Sequence, residues 1–133
     1  LFINQHPGSN RVDTATIYID RLRDKLERKS FEVGKQYLKI GDYKSAIFAL
    51  ENTLSDYPDT EFREEALYLQ LRASYLLAFN SVDYKKEERY LAAQKAYQVF
   101  IRWFPESELR KDADRLNEKT EADLKELIIE EEL

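Results

Sequence analysis

Three copies of one short pattern constrain most strongly what this chain can fold into. Each copy has a ring-bearing residue, a proline next, Ser or Thr two residues after the proline, and Ala eight residues after it. The copies begin at His6, Tyr57 and Phe104, and a Leu follows each proline by nineteen residues. Proline stops a helix because it has no N–H, and a Ser or Thr hydroxyl caps the next one. The pattern therefore predicts a chain of helices with repeated boundaries.

Apolar residues between these boundaries recur every three or four positions, which is the spacing of one helix face. In the first predicted helix they are Val12, Ala15, Ile19, Leu22 and Leu26. The predicted helix-capping residues are Ser9, Asp42, Thr60 and Ser107. Gly41 is expected to take the left-handed conformation that ends a helix. Small residues should mark close helix crossings, and they are Ala46, Ala66, Ala93 and Ala113.

Helical hairpins that recur with a period near 34 residues are typical of tetratricopeptide repeats, which stack because one hairpin cannot bury its own apolar face. We therefore predict an all-α fold, a tetratricopeptide-repeat-like α-solenoid of antiparallel helical hairpins. Residues 1–133 are expected to form one such domain, the carboxy-terminal part of a longer protein. The predicted units are a partial repeat at 1–7, an extra long helix at 10–29, the best repeat at 27–60, a looser repeat at 61–105 and a terminal helix at 107–128. About ten extra residues in the looser repeat are assigned to 80–89.

Composition narrows the classes of function. The chain has 133 residues, a net charge of −5 and a pI near 5.1, which argues against nucleic-acid binding. It contains no Cys, so disulfides and cysteine metal sites are excluded. Its apolar runs are shorter than the roughly 18 residues that a membrane span requires.

No constellation for catalysis is visible. His6 is the single histidine, so it has no second His or Cys with which to form a metal or nucleophile site. The carboxylates Glu64–Glu65 and Glu87–Glu88 are adjacent on predicted helices, where neighbours diverge by about 100°. They cannot form the facing pair of an acid–base mechanism. The sequence predicts no enzyme, no catalytic residue, no metal and no cofactor.

Two features could bind a partner. A basic stretch in this acidic protein contains Arg21, Arg23, Lys25, Arg28, Lys29, Lys35 and Lys39. It reads either as helix-surface charge, partly neutralised by Asp24 four residues before Arg28, or as a docking face for an acidic partner or lipid head groups. The candidates in this stretch are Arg28, Lys35 and Lys39.

The second feature is an aromatic and arginine patch. Tyr68, Arg72 and Tyr75 are spaced i, i+4 and i+7 on a first helix of a repeat, and first helices line the concave side of such arrays. Interhelix packing of the tyrosines is the alternative interpretation. Tyr and Arg are enriched at interface hot spots, so these three residues are candidate partner contacts.

The order of elements carries a resemblance to a known family. The stretch "HPGSNRVDTATIYIDRLRDKLERKSFEVGKQYLKIGDYKSAIFALENTLSDYPDTEFREEAL" has a proline–serine start and a long "RLRDKLERK" helix that runs straight into a second helix. "GDY", "LSDYPDT" and "EEAL" follow. It resembles the BamD, or YfiO-type, outer-membrane lipoproteins of the β-barrel assembly machinery, closely over residues 1–79 and loosely beyond.

This resemblance implies a non-catalytic scaffold at the periplasmic face of the outer membrane. The implied membrane attachment is a lipidated cysteine upstream of Leu1, and the family's amino-terminal repeats, which are thought to contact the client's terminal strand, would also lie upstream. The implied partners are the POTRA region of the barrel-forming subunit and other subunits of the machinery. Relatives often have Arg nine residues before the "DYP" proline, where this chain has Ala49. The alternative is another tetratricopeptide adaptor or co-chaperone that binds a peptide in its concave groove.

Overall fold

The computed structural model describes the backbone of residues 7–133 and the side chains of residues 13–133. This part of the chain forms five helices and no strand, which confirms the all-α, tetratricopeptide-repeat-like prediction. The helices are α1 (Pro7–Lys39), α2 (Tyr43–Asp56), α3 (Arg63–Phe79), α4 (Asp83–Trp103) and α5 (Arg110–Glu132). The partial repeat predicted at 1–7 lies, apart from Pro7, outside the described residues.

Short and longer connections alternate along the chain. Three residues join α1 to α2 (40–42) and α3 to α4 (80–82), whereas six residues join α2 to α3 (57–62) and α4 to α5 (104–109). Each helix packs on the next, and α3 also touches α1 and α5. The helices α1, α3 and α5 therefore form one layer, and α2 and α4 form the other.

The tight turn between α1 and α2 has the predicted chemistry. Gly41 has φ of 85°, a left-handed value that costs a glycine little because it has no Cβ. Asp42 Oδ1 accepts a hydrogen bond from the backbone N–H of Ser45 at 3.2 Å and so caps α2. Both capping predictions at this turn are confirmed.

Each six-residue connection carries one hydroxyl that accepts a hydrogen bond from the backbone. Thr60 Oγ1 accepts from the backbone N–H of Phe62 at 3.1 Å, and Ser107 Oγ accepts from that of Leu109 at 3.0 Å. The prediction that these two residues are the N-caps is wrong, because the helices begin three residues later and their N-cap residues are Phe62 and Leu109. The two hydroxyls thus order the approach to each helix.

The same two hydroxyls also tie neighbouring first helices together. Thr60 Oγ1 donates to Glu27 Oε2 of α1 at 2.6 Å, and Ser107 Oγ donates to Glu64 Oε2 of α3. A hydrogen bond to a carboxylate is stronger than one between neutral groups. Each proline-containing connection is therefore fastened to the first helix of the preceding hairpin.

An arginine five residues after each of these prolines closes the turn from the other side. Arg63 Nη2 donates to the carbonyl oxygen of Pro58, and Arg110 Nη1 donates to that of Pro105 at 2.8 Å. Sequence reasoning missed these contacts, although "YPDTEFR" and "FPESELR" repeat the spacing.

Two predicted limits of the first helix are wrong. The helix predicted to end at Lys29 continues to Lys39, since nothing after Lys29 interrupts it and Ser30 bonds Thr53 of α2 through their hydroxyls at 2.7 Å. Ser9 lies inside α1 and does not precede it. Pro7 is the first helical residue, a position that suits proline because its missing N–H would have no helical partner. The side chain of Ser9 is outside the described residues.

The predicted apolar stripe of α1 is not buried by the other described helices. Ile19, Leu22 and Leu26 are 60%, 47% and 49% exposed. Among residues 13–39 of α1, the buried positions are Phe31 and Gly34, which lie in its second half against α2. A helical spacing predicts which residues share a face, but whether another helix covers that face depends on the rest of the fold.

Small residues mark the close helix crossings, as predicted. Ala46, Ala66, Ala93 and Ala113 each have no exposed surface. Leu50, in the best repeat, is also fully buried. The extra residues of the looser repeat lengthen a helix, because α4 has 21 residues and α2 has 14.

Candidate protein-binding surface

The basic stretch of α1 lies against the acidic segment that follows Pro58. Three exposed ion pairs join them, Arg23–Asp59 at 3.4 Å, Arg28–Glu61 at 3.7 Å and Lys35–Glu65 at 3.5 Å. Exposed pairs of this kind contribute about 0–1 kcal/mol each. The predicted partner of Arg28 was Asp24, and this is wrong because the guanidinium reaches across to Glu61. Part of the basic stretch therefore connects two repeats.

All three of these cations also lie over aromatic rings, and the Arg23 guanidinium is 5.9 Å from the centroid of Tyr57. The Arg28 guanidinium is 5.1 Å from the centroid of Phe62, and Lys35 Nζ is 5.4 Å from that of Phe31. The two rings stack on each other, with centroids 4.7 Å apart. Stacking and cation–π contacts hold these side chains at the surface, where the Arg28 side chain remains 63% exposed.

Lys35, Lys39 and Arg72 line one depression between α1 and α3, which we call the cationic pocket. Its volume is about 630 Å³. Its apolar lining residues are Leu38, Leu69 and Leu76, and its other polar lining residues are Glu32, Gln36 and Tyr43. Three cations face one carboxylate, so the pocket has an excess of positive charge in a protein that is acidic overall.

The cationic pocket joins residues from the two features of the sequence. Lys39 ends α1 and Arg72 lies in the middle of α3, and both side chains are exposed. Within residues 13–133, neither forms an ion pair. Sequence reasoning treated them as separate candidates, because their approach depends on how α1 and α3 pack. The lining residues Glu32, Gln36 and Tyr43 were missed for the same reason.

The expectation that Tyr75 is exposed beside Arg72 is wrong. Its side chain is 8% exposed, its ring lies 5.9 Å from that of Tyr90, and its hydroxyl donates to Asp123 of α5 at 3.4 Å. Burial, and then the charge of Asp123, raises the pKa of Tyr75 above its ordinary value. Residue 75 faces α5 because α3 is covered on several sides, so the packing interpretation applies to this tyrosine.

Tyr68 is half-buried at the edge of a different depression. Its ring meets Phe100 edge-on, with centroids 6.1 Å apart. Burial, and then the nearby charge of Asp112, raises the pKa of the Tyr68 hydroxyl. The depression beside it is acidic and is lined by Glu61, Glu64, Glu65 and Glu108. The layer of α1, α3 and α5 therefore presents a basic and an acidic area next to each other.

The remaining candidates for chemistry have ordinary surroundings where the structure describes them. Glu64 accepts the hydroxyl of Ser107, while Glu87 and Glu88 are exposed on α4. His6 is outside the described residues. Over residues 7–133 no cluster of three carboxylates or imidazoles could hold a metal ion. In the same range no helix is long and apolar enough to cross a membrane.

Comparison with known families finds a match over about two thirds of this chain. The sequence profile of a family described as "YfiO: Outer membrane lipoprotein" matches residues 1–90, which cover α1, α2, α3 and the beginning of α4. This match includes the proline connection at 57–62 and every lining residue of the cationic pocket, among them Lys35, Lys39 and Arg72. The chain therefore belongs to the YfiO family of outer membrane lipoproteins.

Proposed function

We propose that this chain is a non-catalytic protein-interaction scaffold of the BamD type. It supports the assembly and insertion of outer-membrane β-barrel proteins by docking the barrel-forming subunit at the periplasmic face of the outer membrane. Family membership supports the setting. The cationic pocket is the observation that carries the docking role, because Lys39 and Arg72 lie beside an apolar floor and form no ion pair within residues 13–133. Other subunits of the assembly machinery are further proposed partners, and nucleic acid is not one.

The chemistry of the pocket indicates what the partner presents. Arg forms bidentate hydrogen bonds with a carboxylate, and Lys39 adds a second positive charge at the same opening. The leucines beneath them offer apolar area to an aliphatic side chain. A POTRA segment with an acidic residue next to an apolar one would fit this combination. Arg28 and the half-buried Tyr68 extend the proposed contact toward the acidic depression.

Ala49 bears on where the contact lies. Relatives often have an arginine at this position, and its loss removes a cation from α2. The surface there combines an apolar area around Phe48, which is 66% exposed, with one exposed cation, Lys44. We propose that the charged part of the contact is made by the cationic pocket.

The test is a titration of the chain against the soluble POTRA region at low and high salt. Arg72→Ala and Lys39→Ala are each expected to weaken binding by about three- to tenfold at low salt, which corresponds to roughly 0.7–1.4 kcal/mol. The difference from wild type should shrink at high salt, because exposed charges are screened over about 8–10 Å at physiological ionic strength. Arg102→Ala is the matched control, since Arg102 is an exposed cation on the other layer.

Equal binding by all variants at both salt concentrations would refute the role of the pocket. The alternative function is a different tetratricopeptide adaptor that binds a peptide in the groove between α1, α3 and α5. The same pocket favours it, because a terminal carboxylate could take the place of an acidic side chain. If the chain has no affinity for the POTRA region, and a peptide with a free carboxyl terminus displaces the ligand that it does bind, the adaptor function would be favoured.

A further inference from the structure

A second groove lies on the opposite side of α3 from the cationic pocket. It is walled by α2 and α4, and it has a volume of about 360 Å³. On α3 its floor includes Leu67, Ser74 and Leu77, whereas the cationic pocket uses Leu69, Arg72 and Leu76. At 100° per residue these two sets point in nearly opposite directions. We call the second site the α2–α4 groove.

The groove exists because the second helices do not meet. Both α2 and α4 pack on α3, but they do not pack on each other. The α4 wall includes Ala92 and Ala96, whose short side chains leave space between this helix and α2. Ile47 of α2 and Leu67 of α3 complete an apolar interior.

The polar groups of the groove are arranged in a way that suits a ligand. Ser74 is 93% buried, as its exposure is 7%, and its hydroxyl has no hydrogen-bond partner within residues 13–133. The hydroxyl is therefore free to donate to or accept from a ligand in the groove. Gln70, on the same helix, offers both a donor and an acceptor for a peptide backbone.

The charges at the rim have opposite signs on the two walls. Arg89 and Lys95 lie on the α4 side, and Glu51 lies on the α2 side. Arg89 is held in place, because its Nη1 donates to Ser81 Oγ at 2.6 Å. Lys95 is exposed and forms no ion pair in the part of the chain described. A ligand that places a carboxylate near α4 would complement this wall.

We propose that the α2–α4 groove binds a short segment of a partner protein. The segment inserts two or three aliphatic side chains between α2 and α4 and directs an acidic residue toward Lys95 and Arg89. A peptide fits better than a lipid, because its backbone N–H groups can pair with Ser74, Gln70 and Glu51. The site is separate from the proposed function, and a scaffold with both sites could hold two partners at once.

The first experiment identifies the bound chemistry. A phage-displayed library of random 16-residue peptides is selected on the full chain and counter-selected on Ala92→Trp. Ala92 is exposed, so a tryptophan there fills the groove without disturbing the core. Selected peptides are expected to share two aliphatic residues three or four positions apart and an acidic residue. Peptides that bind both proteins equally, or that share no such pattern, would overturn the proposal.

The second experiment tests the orientation of the segment. A synthetic consensus peptide is titrated against four chains, and Ala92→Trp is expected to bind at least tenfold more weakly than wild type. Gln98→Trp is the matched control, because Gln98 is exposed on the same helix but does not line the groove. Lys95→Glu is expected to weaken binding about three- to tenfold. A peptide whose acidic residue is replaced by Lys should recover that loss on Lys95→Glu and not on wild type.

Circular dichroism melts show whether each variant is folded, and only folded variants are compared. Loss of binding by Gln98→Trp equal to that of Ala92→Trp would place the peptide elsewhere and refute the site. Failure of the charge exchange would refute the assigned orientation. A parallel titration with lysophosphatidylglycerol below its micelle concentration covers the lipid alternative, and groove-dependent binding of the lipid alone would also refute the proposal. Arg72→Ala should leave peptide binding unchanged, so failure here is distinguishable from failure of the cationic pocket.

Discussion

Two tyrosine–aspartate hydrogen bonds fasten α4 to α5 at the scale of single residues. Tyr90 donates to Asp123 Oδ2 at 2.7 Å, and Tyr97 donates to Asp114 Oδ1 at 2.6 Å. Asp114 also accepts from Arg110 Nε at 3.2 Å. Burial comes first among the causes that raise the pKa of Tyr90 well above its ordinary value of 10, and the hydrogen bond to Asp123 follows. The folded structure therefore favours the protonated form of both tyrosine hydroxyls.

Tyr90→Phe is expected to lower the free energy of unfolding at pH 7 by about 1–3 kcal/mol, because Asp123 loses its shortest donor. The pH dependence follows from the raised folded-state pKa. The stabilisation is complete below pH 10 and falls as the pH rises above that value, since the unfolded tyrosine ionises first. Urea melts from pH 8 to pH 11 should therefore show a smaller alkaline loss for Tyr90→Phe than for wild type.

Tyr84→Phe is the control for this experiment, because Tyr84 is 82% exposed. It should match wild type throughout the pH range. If the free energy of unfolding fell equally with rising pH in Tyr90→Phe and wild type, ionisation of Tyr90 would not be the cause of the alkaline loss of stability.

Gly34 and Leu50 form the tightest contact between α1 and α2. A Cβ at position 34 would lie 2.7 Å from Leu50 Cδ2, and Leu50 is fully buried and has little room to move. Gly34→Ala is expected to cost about 1–3 kcal/mol of overpacking, less about 1 kcal/mol gained in helix propensity. Leu50→Ala should cost roughly 2–5 kcal/mol.

The double variant tests the contact itself. Removing the leucine makes room for the new methyl group, so the two effects should differ from additivity by about 0.5–3 kcal/mol in the stabilising direction. Denaturant melts of the four proteins measure this. Simple additivity would mean that residues 34 and 50 do not press on each other, and a change below about 0.5 kcal/mol for Leu50→Ala would contradict its burial.

The proline connections are the repeated device at the scale of helices. The Thr60 and Ser107 hydroxyls each accept from a backbone N–H and donate to a glutamate of the preceding first helix. Each connection therefore orders the entry to one helix and its packing on another. The repeat in the sequence corresponds to a repeat in hydrogen bonding.

Thr60→Ala and Ser107→Ala are each expected to lower the free energy of unfolding by about 0.5–2 kcal/mol, because each variant loses one hydrogen bond to a backbone N–H and one to a carboxylate. Asp59→Ala provides the comparison, because Asp59 is next to Thr60 but its side chain is 82% exposed and forms only a surface ion pair. The free energy of unfolding of Asp59→Ala should stay within about 0.5 kcal/mol of the wild-type value. Thermal or urea melts in which Asp59→Ala is as destabilised as the two hydroxyl variants would contradict the stabilising role of these hydroxyls.

The whole molecule depends on its last helix to close the core. Ala113 and Leu124 of α5 are buried against residues of α3 and α4, whereas Ile128 and Ile129 are about half exposed. The last turn of α5 therefore contributes much less to the stability of the core than the part of the helix up to Leu124.

Removal of residues 107–133 should cost more than the roughly 2–5 kcal/mol of one core leucine, because it uncovers Tyr90 and Phe100 together. The expected result is loss of a single cooperative thermal transition. Removal of residues 128–133 alone should leave the transition almost unchanged. Differential scanning calorimetry of both truncations measures this, and a cooperative transition near the wild-type temperature without 107–133 would show that α5 is dispensable.

Much of the fold could be predicted because its signals are local. Gly41 and Asp42 specify the first turn through their own backbone and side chain, and Thr60 and Ser107 do the same after their prolines. The four buried alanines followed from helix spacing. The candidate binding residues were less predictable, because burial of Tyr75 and pairing of Arg28 depend on residues far away in the chain.

The sequence by itself determined the helical class, the proline boundaries and the residues that share a helix face, because hydrogen bonding and side-chain spacing along a helix are local. Only the tertiary structure decided which faces are covered. It left Ile19, Leu22 and Leu26 exposed, placed Tyr75 against Asp123, and brought Lys39 and Arg72 into one pocket. The spacing of residues along a helix is the same wherever the helix lies. Burial of a side chain and the net charge of a pocket depend on which other helices pack against it.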